Sequence, residues 1–329
     1  MKTVYQKNMI KYLLYPLTWL FTIIVHIRNT LYDWNMLPGI NSRLPIISVG
    51  NIQVGGTGKT PFVIALSKQL IAHNIKPLII TRGYKRNTKH QIIFNNITEH
   101  SAQEVGDEPY YIKQVINSVP IIIDYNKKNA VKTANQMNDI DCILLDDGYQ
   151  SRYINKDLDI VLTSFGETKN FNLMPVGDFR EPVANLKRAH FIYNTKHIDS
   201  AEQHLENTFK IIKYQNGNIE DEAQSNYLKP MIAFCGIANQ NYFISILKNM
   251  NIEINKEIKF ENHVNYDEGK YHQLKAANPN NLSFITTYKD FVKLNAKFKN
   301  TYTIYVLEMN LIIDDNKLLD KIKTLISEN

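Results

Sequence analysis

The sequence has few cysteines, no internal repeat and no low-complexity segment. Only Cys142 and Cys235 are present among 329 residues, and both lie inside apolar runs that fit no metal-binding or redox spacing. A disulfide-rich scaffold and a cysteine-based metal module are therefore excluded. We expect both thiols to be buried in a protein of a reducing compartment.

A strong charge of either sign is also missing. The formal net charge is +6 at pH 7, with 44% hydrophobic and 21% charged residues, as in an ordinary globular protein. This balance suits acidic ligands or an anionic surface. Since basic residues nowhere cluster with aromatic ones, we expect no nucleic-acid partner, and no obligate protein partner is implied. The length fits two domains.

The N-terminal 35 residues contain an uncharged apolar run. Sixteen residues without a charge separate Lys11 from Arg28. As a helix this run is about 24 Å long, which is shorter than the roughly 30 Å hydrocarbon core of a bilayer. One interpretation is a helix that lies in the membrane surface, with its lysines near anionic headgroups. The other is a helix packed against the rest of the protein. We favour membrane association.

A glycine-rich stretch follows a short apolar strand at 44–52. The loop consists of Gln53, Val54, Gly55, Gly56, Thr57 and Gly58, and Lys59 and Thr60 then open a helix over 61–70. In a P-loop, backbone N–H groups surround the phosphates of ATP, the lysine reaches the β- and γ-phosphates and the hydroxyl binds Mg²⁺. Gln53 replaces a glycine of the general pattern, so a glycine-rich turn without a ligand is the alternative.

Two pairs of carboxylates follow in the chain. Asp146 and Asp147 end the apolar run 142–145, a Walker-B pattern that orients Mg²⁺, although a buried strand ending in an Asp-Gly turn would look similar. Asp107 and Glu108 stand at a predicted helix start, where capping is the ordinary role. Because such loops gather at the carboxyl edge of an α/β sheet, these carboxylates can also accept a proton or bind Mg²⁺.

Two basic segments are candidates for phosphate contacts. Arg82 and Arg86 follow the apolar strand 77–81, and a solvated loop explains them equally well. Arg180 lies in the proline- and glycine-containing loop 174–182. It can stabilise charge on a transferred phosphoryl group, or simply pair with Glu181.

The second half of the chain has no nucleotide-binding pattern of its own. Composition turns polar over about 202–227, and strand and helix patterns resume at 231. We predict an α/β fold with a P-loop NTPase-like, mostly parallel sheet core, an N-terminal membrane-associated helix and a second, smaller α/β domain. The predicted units are 1–35, the membrane-associated helix; 36–205, the kinase core; and 206–329, a lid or substrate domain with extended linker strands.

Several separated motifs, in one order, resemble the lipid A 4′-kinase (tetraacyldisaccharide 4′-kinase) family. They are Ser48-Val-Gly-Asn with Gly55-Gly-Thr-Gly-Lys-Thr-Pro61, Arg82-Gly-Tyr84, Gly106-Asp-Glu-Pro109, Asp146-Asp-Gly-Tyr-Gln150, Pro175-Val-Gly with Arg180-Glu-Pro182, Gly236-Ile-Ala-Asn239, 260–263 and Thr286-Thr-Tyr-Lys-Asp290. The family's own loop also lacks the first Walker-A glycine. The resemblance therefore covers nearly the whole chain.

The resemblance implies an enzyme of the inner membrane, on its cytoplasmic side, in lipid A biosynthesis. It would move the γ-phosphate of ATP to the 4′-hydroxyl of a tetraacyldisaccharide 1-phosphate. By motif, Lys59 and Thr60 hold phosphate and Mg²⁺, and Asp146 and Asp147 serve the metal. The family's base corresponds to Asp107, acting with a histidine of the second domain, here His263.

The sequence departs from the family at four positions. Ser151 replaces a common histidine, Asn262 an aspartate, Tyr288 a glutamate and Asp178 a proline. These changes leave the expected fold and reaction in place, and they concern the pairing around His263 and the disaccharide contacts. The alternative function is a membrane-recruited P-loop switch ATPase that acts on a protein partner.

Overall fold

The computed structural model describes residues 2–84, 86–164, 170–195, 205–215, 218–220, 229–237, 239–262 and 264–328. Its helices are α1 (Lys2–Asp33), α2 (Lys59–Ala72), α3 (Ala102–Val105), α4 (Asp107–Val115), α5 (Lys127–Ala134), α6 (Gln240–Asn249), α7 (Glu268–Ala276), α8 (Tyr288–Phe291), α9 (Ala296–Thr301) and α10 (Asn316–Ser327). Its strands are β1 (Ile46–Asn51), β2 (Pro77–Thr81), β3 (Ile92–Phe94), β4 (Ile121–Ile123), β5 (Cys142–Asp146), β6 (Leu158–Thr163), β7 (Phe191–Asn194), β8 (Leu205–Gln215), β9 (Asn218–Glu220), β10 (Met231–Cys235), β11 (Ile254–Lys259), β12 (Phe284–Thr287) and β13 (Ile304–Ile313).

The first sheet has the strand order β3-β4-β2-β5-β1-β6-β7. Its strands pair in parallel, except that β3 pairs antiparallel with β4. Every residue of β1, β2, β4 and β5 is buried, because helices cover both faces of a parallel sheet, and this explains their continuous apolar runs. Val49 of β1 lies opposite Asp146 of β5, so the P-loop and the aspartate pair leave the same sheet edge side by side.

The second sheet has the order β11-β10-β12-β13-β8-β9. Strands β11, β10, β12 and β13 are parallel, and β8 runs antiparallel along the whole of β13. Leu205 at the start of β8 and Ile313 at the end of β13 reach the core of the first sheet. Helix α10 packs into that same core through Leu318 and Ile322. The predicted α/β architecture with mostly parallel sheets is confirmed.

Helix α1 packs on the protein with a mixed side that carries Thr18, Val25 and Asn29, and it turns an apolar face outwards. Thr18 is buried, and its Oγ1 accepts a hydrogen bond of 3.2 Å from the Val176 N–H. Trp19, Ile23 and Ile24 each expose more than half of their surface. No helix in the described ranges is both long enough and apolar enough to cross a bilayer. Association of α1 with a membrane surface stays a prediction.

Both cysteines are buried and unpaired, as predicted. Burial raises the pKa of each thiol to about 12, so both remain protonated at neutral pH. Neither thiol has the chemistry of a nucleophile or a metal ligand.

Candidate active site

The glycine-rich loop forms an open turn at the start of α2. Gly58 precedes the helix with φ 76°, and Gly55 has φ 110°, both in the left-handed region that glycine adopts without strain. In the described part of the chain, no heavy atom lies within 4 Å of a Cβ placed on Gly55 or Gly56. Their backbone is therefore open to a ligand. Lys59 and Thr60, both partly exposed, begin the helix.

Side chains on either side of the glycines fasten this loop to the first sheet. Gln53 is 2% exposed, and its Oε1 accepts a hydrogen bond of 2.8 Å from the Ser164 N–H. The exposed Val54 donates its N–H to the Asp178 carbonyl at 2.7 Å. The buried Thr57 receives a hydrogen bond of 2.7 Å from Asn51. Gln53 and Thr57 thus hold the loop to the protein with their side chains, and the backbone of Gly55 and Gly56 between them remains open.

Two cations converge on Asp147. The Arg180 guanidinium lies 2.9 and 3.0 Å from its two carboxylate oxygens, and Lys59 Nζ lies 3.5 Å from Oδ1. Although burial would by itself raise the pKa of Asp147, Lys59 and Arg180 hold it at about 2. Arg180 therefore pairs with Asp147 and not with the adjacent Glu181. Arg180 therefore lies beside Lys59 of the phosphate loop. Its role in stabilising charge on a transferred phosphoryl group stays a prediction.

Asp146 is buried beside this cluster with half of its carboxylate free. Oδ2 accepts a hydrogen bond of 3.0 Å from Thr81, whereas Oδ1 has no hydrogen-bond partner among the described residues. Burial raises the pKa of Asp146 to about 6, and the nearby charges of Glu108 and Asp147 act in the same direction. A buried, unsatisfied carboxylate oxygen is costly, and a divalent cation would satisfy it.

The predicted cation, Mg²⁺, needs few ligands from the protein. The described residues contain no group of three or more His, Cys, Asp or Glu side chains arranged to hold a metal. Mg²⁺ usually keeps several waters and binds one or two carboxylates together with substrate phosphates. The free oxygen of Asp146 thus fits Mg²⁺ better than a metal that needs a complete protein cage. The roles of Thr60, Asp147 and Glu108 in metal binding stay predictions.

Lys127 stabilises the backbone of the two aspartates. This residue was not identified from the sequence as part of the site. Its fully buried Nζ donates to the carbonyl oxygens of Asp146 and Asp147 at 2.5 and 2.8 Å. Burial lowers its pKa to about 8. Asp147 has φ 49°, a left-handed conformation that costs about 1 kcal/mol or more for a residue other than glycine. The pair Lys127–Lys128 follows strand β4 at the carboxyl edge of the sheet, and nothing in the sequence distinguishes the first lysine from the second.

The second pair of carboxylates contacts the second sheet. Gly106 has φ 95°, and α4 then begins with Asp107 and Glu108. Asp107 Oδ2 lies 2.8 Å from Lys293 Nζ, and Glu108 Oε1 lies 3.5 Å from Lys289 Nζ. Since Glu108 also acts on the pKa of Asp146, the candidate site spans both sheets.

His263, the predicted partner of Asp107, lies outside the described residues. Its neighbours on the chain are placed: Phe260 and Val264 are buried in the core of the second sheet, and Asn262 is exposed. Lys293 donates a hydrogen bond of 3.3 Å to the Val264 carbonyl. The Val264 carbonyl therefore lies close to Lys293.

The basic segment after β2 has two different roles. Arg82 is exposed at the sheet edge, where a phosphate or solvent can contact it. Arg86 is buried, donates to the Ile123 carbonyl at 3.1 Å and lies over the Tyr125 ring at 4.6 Å. Lys85, between them, is outside the described residues. Arg86 is thus a structural residue in this arrangement, which neither sequence interpretation anticipated.

Two of the residues that depart from the family pattern, Ser151 and Tyr288, have defined packing or hydrogen-bond partners. Ser151 is 1% exposed, with its N–H donated to the Gly148 carbonyl in the turn after the aspartates. Tyr288 packs against Tyr111 of α4, with ring centroids 4.9 Å apart. The contact joins the two sheets next to the Glu108–Lys289 pair.

Comparison with known proteins gives consistent results. The chain matches the family described as LpxK, tetraacyldisaccharide-1-P 4′-kinase, over residues 10–327. It is 34% identical over 290 residues to a tetraacyldisaccharide 4′-kinase of Psychromonas ingrahamii, covering 86% of each chain. It is 31% identical over 307 residues to that of Aquifex aeolicus, covering 90% of this chain and 93% of the relative. The fold is similar to a crystal structure of LpxK from Aquifex aeolicus in complex with ATP, with a TM-score of 0.77, 26% identity and coverage of 96% and 99% of the two chains.

Proposed function

This chain belongs to the tetraacyldisaccharide 4′-kinase family, and we propose that it transfers the γ-phosphate of ATP to the 4′-hydroxyl of a tetraacyldisaccharide 1-phosphate, a precursor of lipid A. The observation that carries the proposal is the family match along nearly the whole chain. The structure supports it with a phosphate loop whose lysine, Lys59, contacts Asp147 at the edge of the first sheet. Arg180 contacts the same carboxylate.

The loop and its cations are suited to bind the triphosphate. Within the proposed binding segment 53–60, the backbone N–H groups of Gly55, Gly56 and the N-terminus of α2 would surround the phosphates, because they present donors to an anion. Gln53, Val54 and Thr57 hold the loop in place. Lys59 and Arg180, which now neutralise Asp147, would turn to the transferred phosphoryl group. Thr60, Asp146, Asp147 and Glu108 would hold Mg²⁺, which supplies charge neutralisation on the phosphates when it is bound.

Asp107 is the proposed base, acting with His263. A carboxylate near its ordinary proton affinity is a weak base for a sugar hydroxyl, and a neighbouring imidazole can orient it and tune its proton affinity. Asp107 begins a helix of the first sheet and contacts the second sheet, so an acceptor that enters between the sheets would meet it. The proton of the 4′-hydroxyl would pass to the Asp107 carboxylate while the hydroxyl oxygen attacks the γ-phosphorus. The bond between that phosphorus and the β,γ-bridging oxygen would break, and ADP would leave with the bonding electrons.

The remaining parts of the chain suit a lipid acceptor. We assign 1–35 to the cytoplasmic face of the inner membrane, because α1 exposes Trp19, Leu20 and Ile23 along one face. Residues 36–205 form the kinase core. Residues 206–329 form the smaller lid and substrate unit, whose last helix packs back on the core. Closure of such a unit excludes water from the transferred phosphoryl group.

The direct test is transfer of phosphate from γ-labelled ATP to a tetraacyldisaccharide 1-phosphate in detergent micelles. We expect transfer by the wild-type protein, loss in Lys59→Ala and a large decrease in His263→Ala. Slow ATP hydrolysis without transfer would contradict the proposal and favour a switch ATPase that acts on a protein partner. In that case nucleotide-dependent dimerisation, measured by light scattering, would be the next observation.

A further inference from the structure

Lys293 places a buried ammonium group between the two sheets. Only 6% of its side chain is exposed. Its Nζ lies 2.8 Å from Asp107 Oδ2 and donates to the Val264 carbonyl at 3.3 Å. One cation therefore joins the proposed base on the first sheet to the residue that follows His263 on the second.

Burying a lysine is unfavourable unless its charge is satisfied. The side chain loses rotamer freedom and hydration, and the loss is offset when the ammonium has an anionic partner and further acceptors. Asp107 supplies the anion and Val264 the additional acceptor. Because water is largely excluded here, this pair is stronger and more directional than one on the surface.

The neighbouring charged residues, Lys289 and Asp290, have other partners. Lys289, one helical turn earlier, lies 3.5 Å from Glu108, and both of these side chains are about a third exposed. Asp290 is fully buried, and its carboxylate accepts hydrogen bonds from the Gly236 N–H, the Tyr266 hydroxyl and the Thr287 hydroxyl. Its oxygens are therefore already engaged within the second sheet.

We propose that Lys293 is a positioning residue for phosphoryl transfer, holding the Asp107 carboxylate of the first sheet in a fixed position relative to the Val264 carbonyl of the second. This inference rests on the proposed function and on Asp107 as its base. Lys293 does not itself exchange a proton with the acceptor. It acts through Asp107, so its contribution exists only while that carboxylate is present.

The test is a double-mutant cycle on kcat in the labelled transfer assay, with Asp107→Asn, Lys293→Met and the double variant. We expect Lys293→Met to reduce kcat roughly 10²-fold, since misplacement of a reacting group by about 1 Å has that effect. The KM for ATP should stay unchanged, because the phosphate loop is not touched. The double variant should fall within about twofold of Asp107→Asn alone, because residues that act as a unit are not additive.

Two further variants separate positioning from general damage. Lys293→Arg keeps a cation for Asp107 and should recover most of the lost kcat. Lys259→Met removes an exposed ammonium from a pair with Glu257 in the same sheet and should leave kcat as in the wild type. Thermal unfolding checks each protein, and Lys293→Gln replaces Lys293→Met in the cycle if the latter does not fold.

The outcomes distinguish this inference from the proposed function. Wild-type transfer with an unaffected Lys293→Met, or with losses that multiply in the double variant, overturns the role of Lys293 and leaves the kinase proposal standing. Absence of transfer by the wild type overturns the kinase proposal itself. Full activity of Asp107→Asn removes the base assignment and, with it, this role of Lys293.

Discussion

Asn29, in the last turn of α1, donates a hydrogen bond of 3.0 Å to the carboxylate of Glu181, 152 positions later in the chain. Glu181 is fully buried, and Arg188 and Asn185 also donate to it. The preceding residue, Arg180, contacts Asp147. The N-terminal helix is thus attached to the loop that delivers an arginine to the candidate site.

Glu181→Ala tests this attachment through stability. Its removal leaves Arg188, 17% of whose side chain is exposed, without its partner, and breaking a buried pair costs about 3–5 kcal/mol. We expect that decrease in the free energy of unfolding, measured with urea. Lys76→Ala is the matched control, because its pair with Asp139 is exposed and should contribute less than about 1 kcal/mol. Equal effects of the two substitutions would contradict the assigned role of Glu181.

Lys127→Met tests the support beneath the aspartate pair. Without the two hydrogen bonds to the carbonyls of Asp146 and Asp147, the left-handed conformation of Asp147 loses its restraint. We expect kcat to fall by a factor on the order of 10–10², since the proposed Mg²⁺ ligands shift. Lys128→Met, at the adjacent and more exposed position, serves as the control. Wild-type kcat in Lys127→Met would exclude a role for this lysine.

Asp146 should make stability depend on pH in the absence of Mg²⁺ and nucleotide. Its pKa rises from 3.8 to about 6 on folding, so between these values the folded state binds more protons than the unfolded state. The free energy of unfolding therefore falls as the pH rises from about 4 to about 6. The low pKa of Asp147, about 2, acts in the opposite sense but only below about pH 4.

Asp146→Asn removes that dependence. We expect a flatter profile between pH 4 and 6, and a gain at pH 7.5 on the order of 3 kcal/mol, which corresponds to the size of the pKa change. Urea titrations across this pH range measure it. The exposed Asp320→Asn should leave the profile unchanged. An Asp146→Asn profile parallel to that of the wild type would show that the ionised carboxylate carries no such penalty.

Tyr288→Glu restores the residue that is common in the family, and we expect it to destabilise this chain. Tyr288 packs between the rings of Tyr111 and Phe291, close to the charge of Glu308. A carboxylate there is desolvated beside a like charge, which costs roughly 1–3 kcal/mol. Tyr288→Phe keeps the ring and should lose about 1 kcal/mol or less. Thermal or urea unfolding measures the stability of the two variants. A Tyr288→Glu protein as stable as the wild type would contradict the view that packing around Tyr288 disfavours the common glutamate in this chain.

The sequence predicted those parts of the site that depend on local patterns. A glycine-rich turn between a strand and Lys59, and an apolar strand ending in Asp146, each constrain their own backbone, so the strand β5 and the start of α2 were predictable. The pairing of Arg180 with Asp147 was not, because the sequence offered Glu181 as the nearer partner. Lys127, Lys293 and the Asn29–Glu181 bond were missed for the same reason. Each joins elements that are distant in the chain, and only the packing of the two sheets brings them together.

The orientation of α1 shows a second limit. The uncharged run of α1 was recognisable in the sequence, but it did not indicate which side of the helix would meet the protein. The structure turns Thr18 inwards, where its hydroxyl accepts the Val176 N–H, which would otherwise be buried without a partner. Val25 lies on the same side in a hydrophobic cluster, and Trp19, Ile23 and Ile24 stay exposed.

The central claim is that the γ-phosphate of ATP goes to one particular hydroxyl of a lipid acceptor. The most direct measurement compares labelled transfer to a tetraacyldisaccharide 1-phosphate with transfer to the same molecule lacking its 4′-hydroxyl. We predict a phosphorylated product from the first acceptor and none from the second. Equal labelling of both acceptors, or ATP hydrolysis without any labelled lipid, would contradict the account.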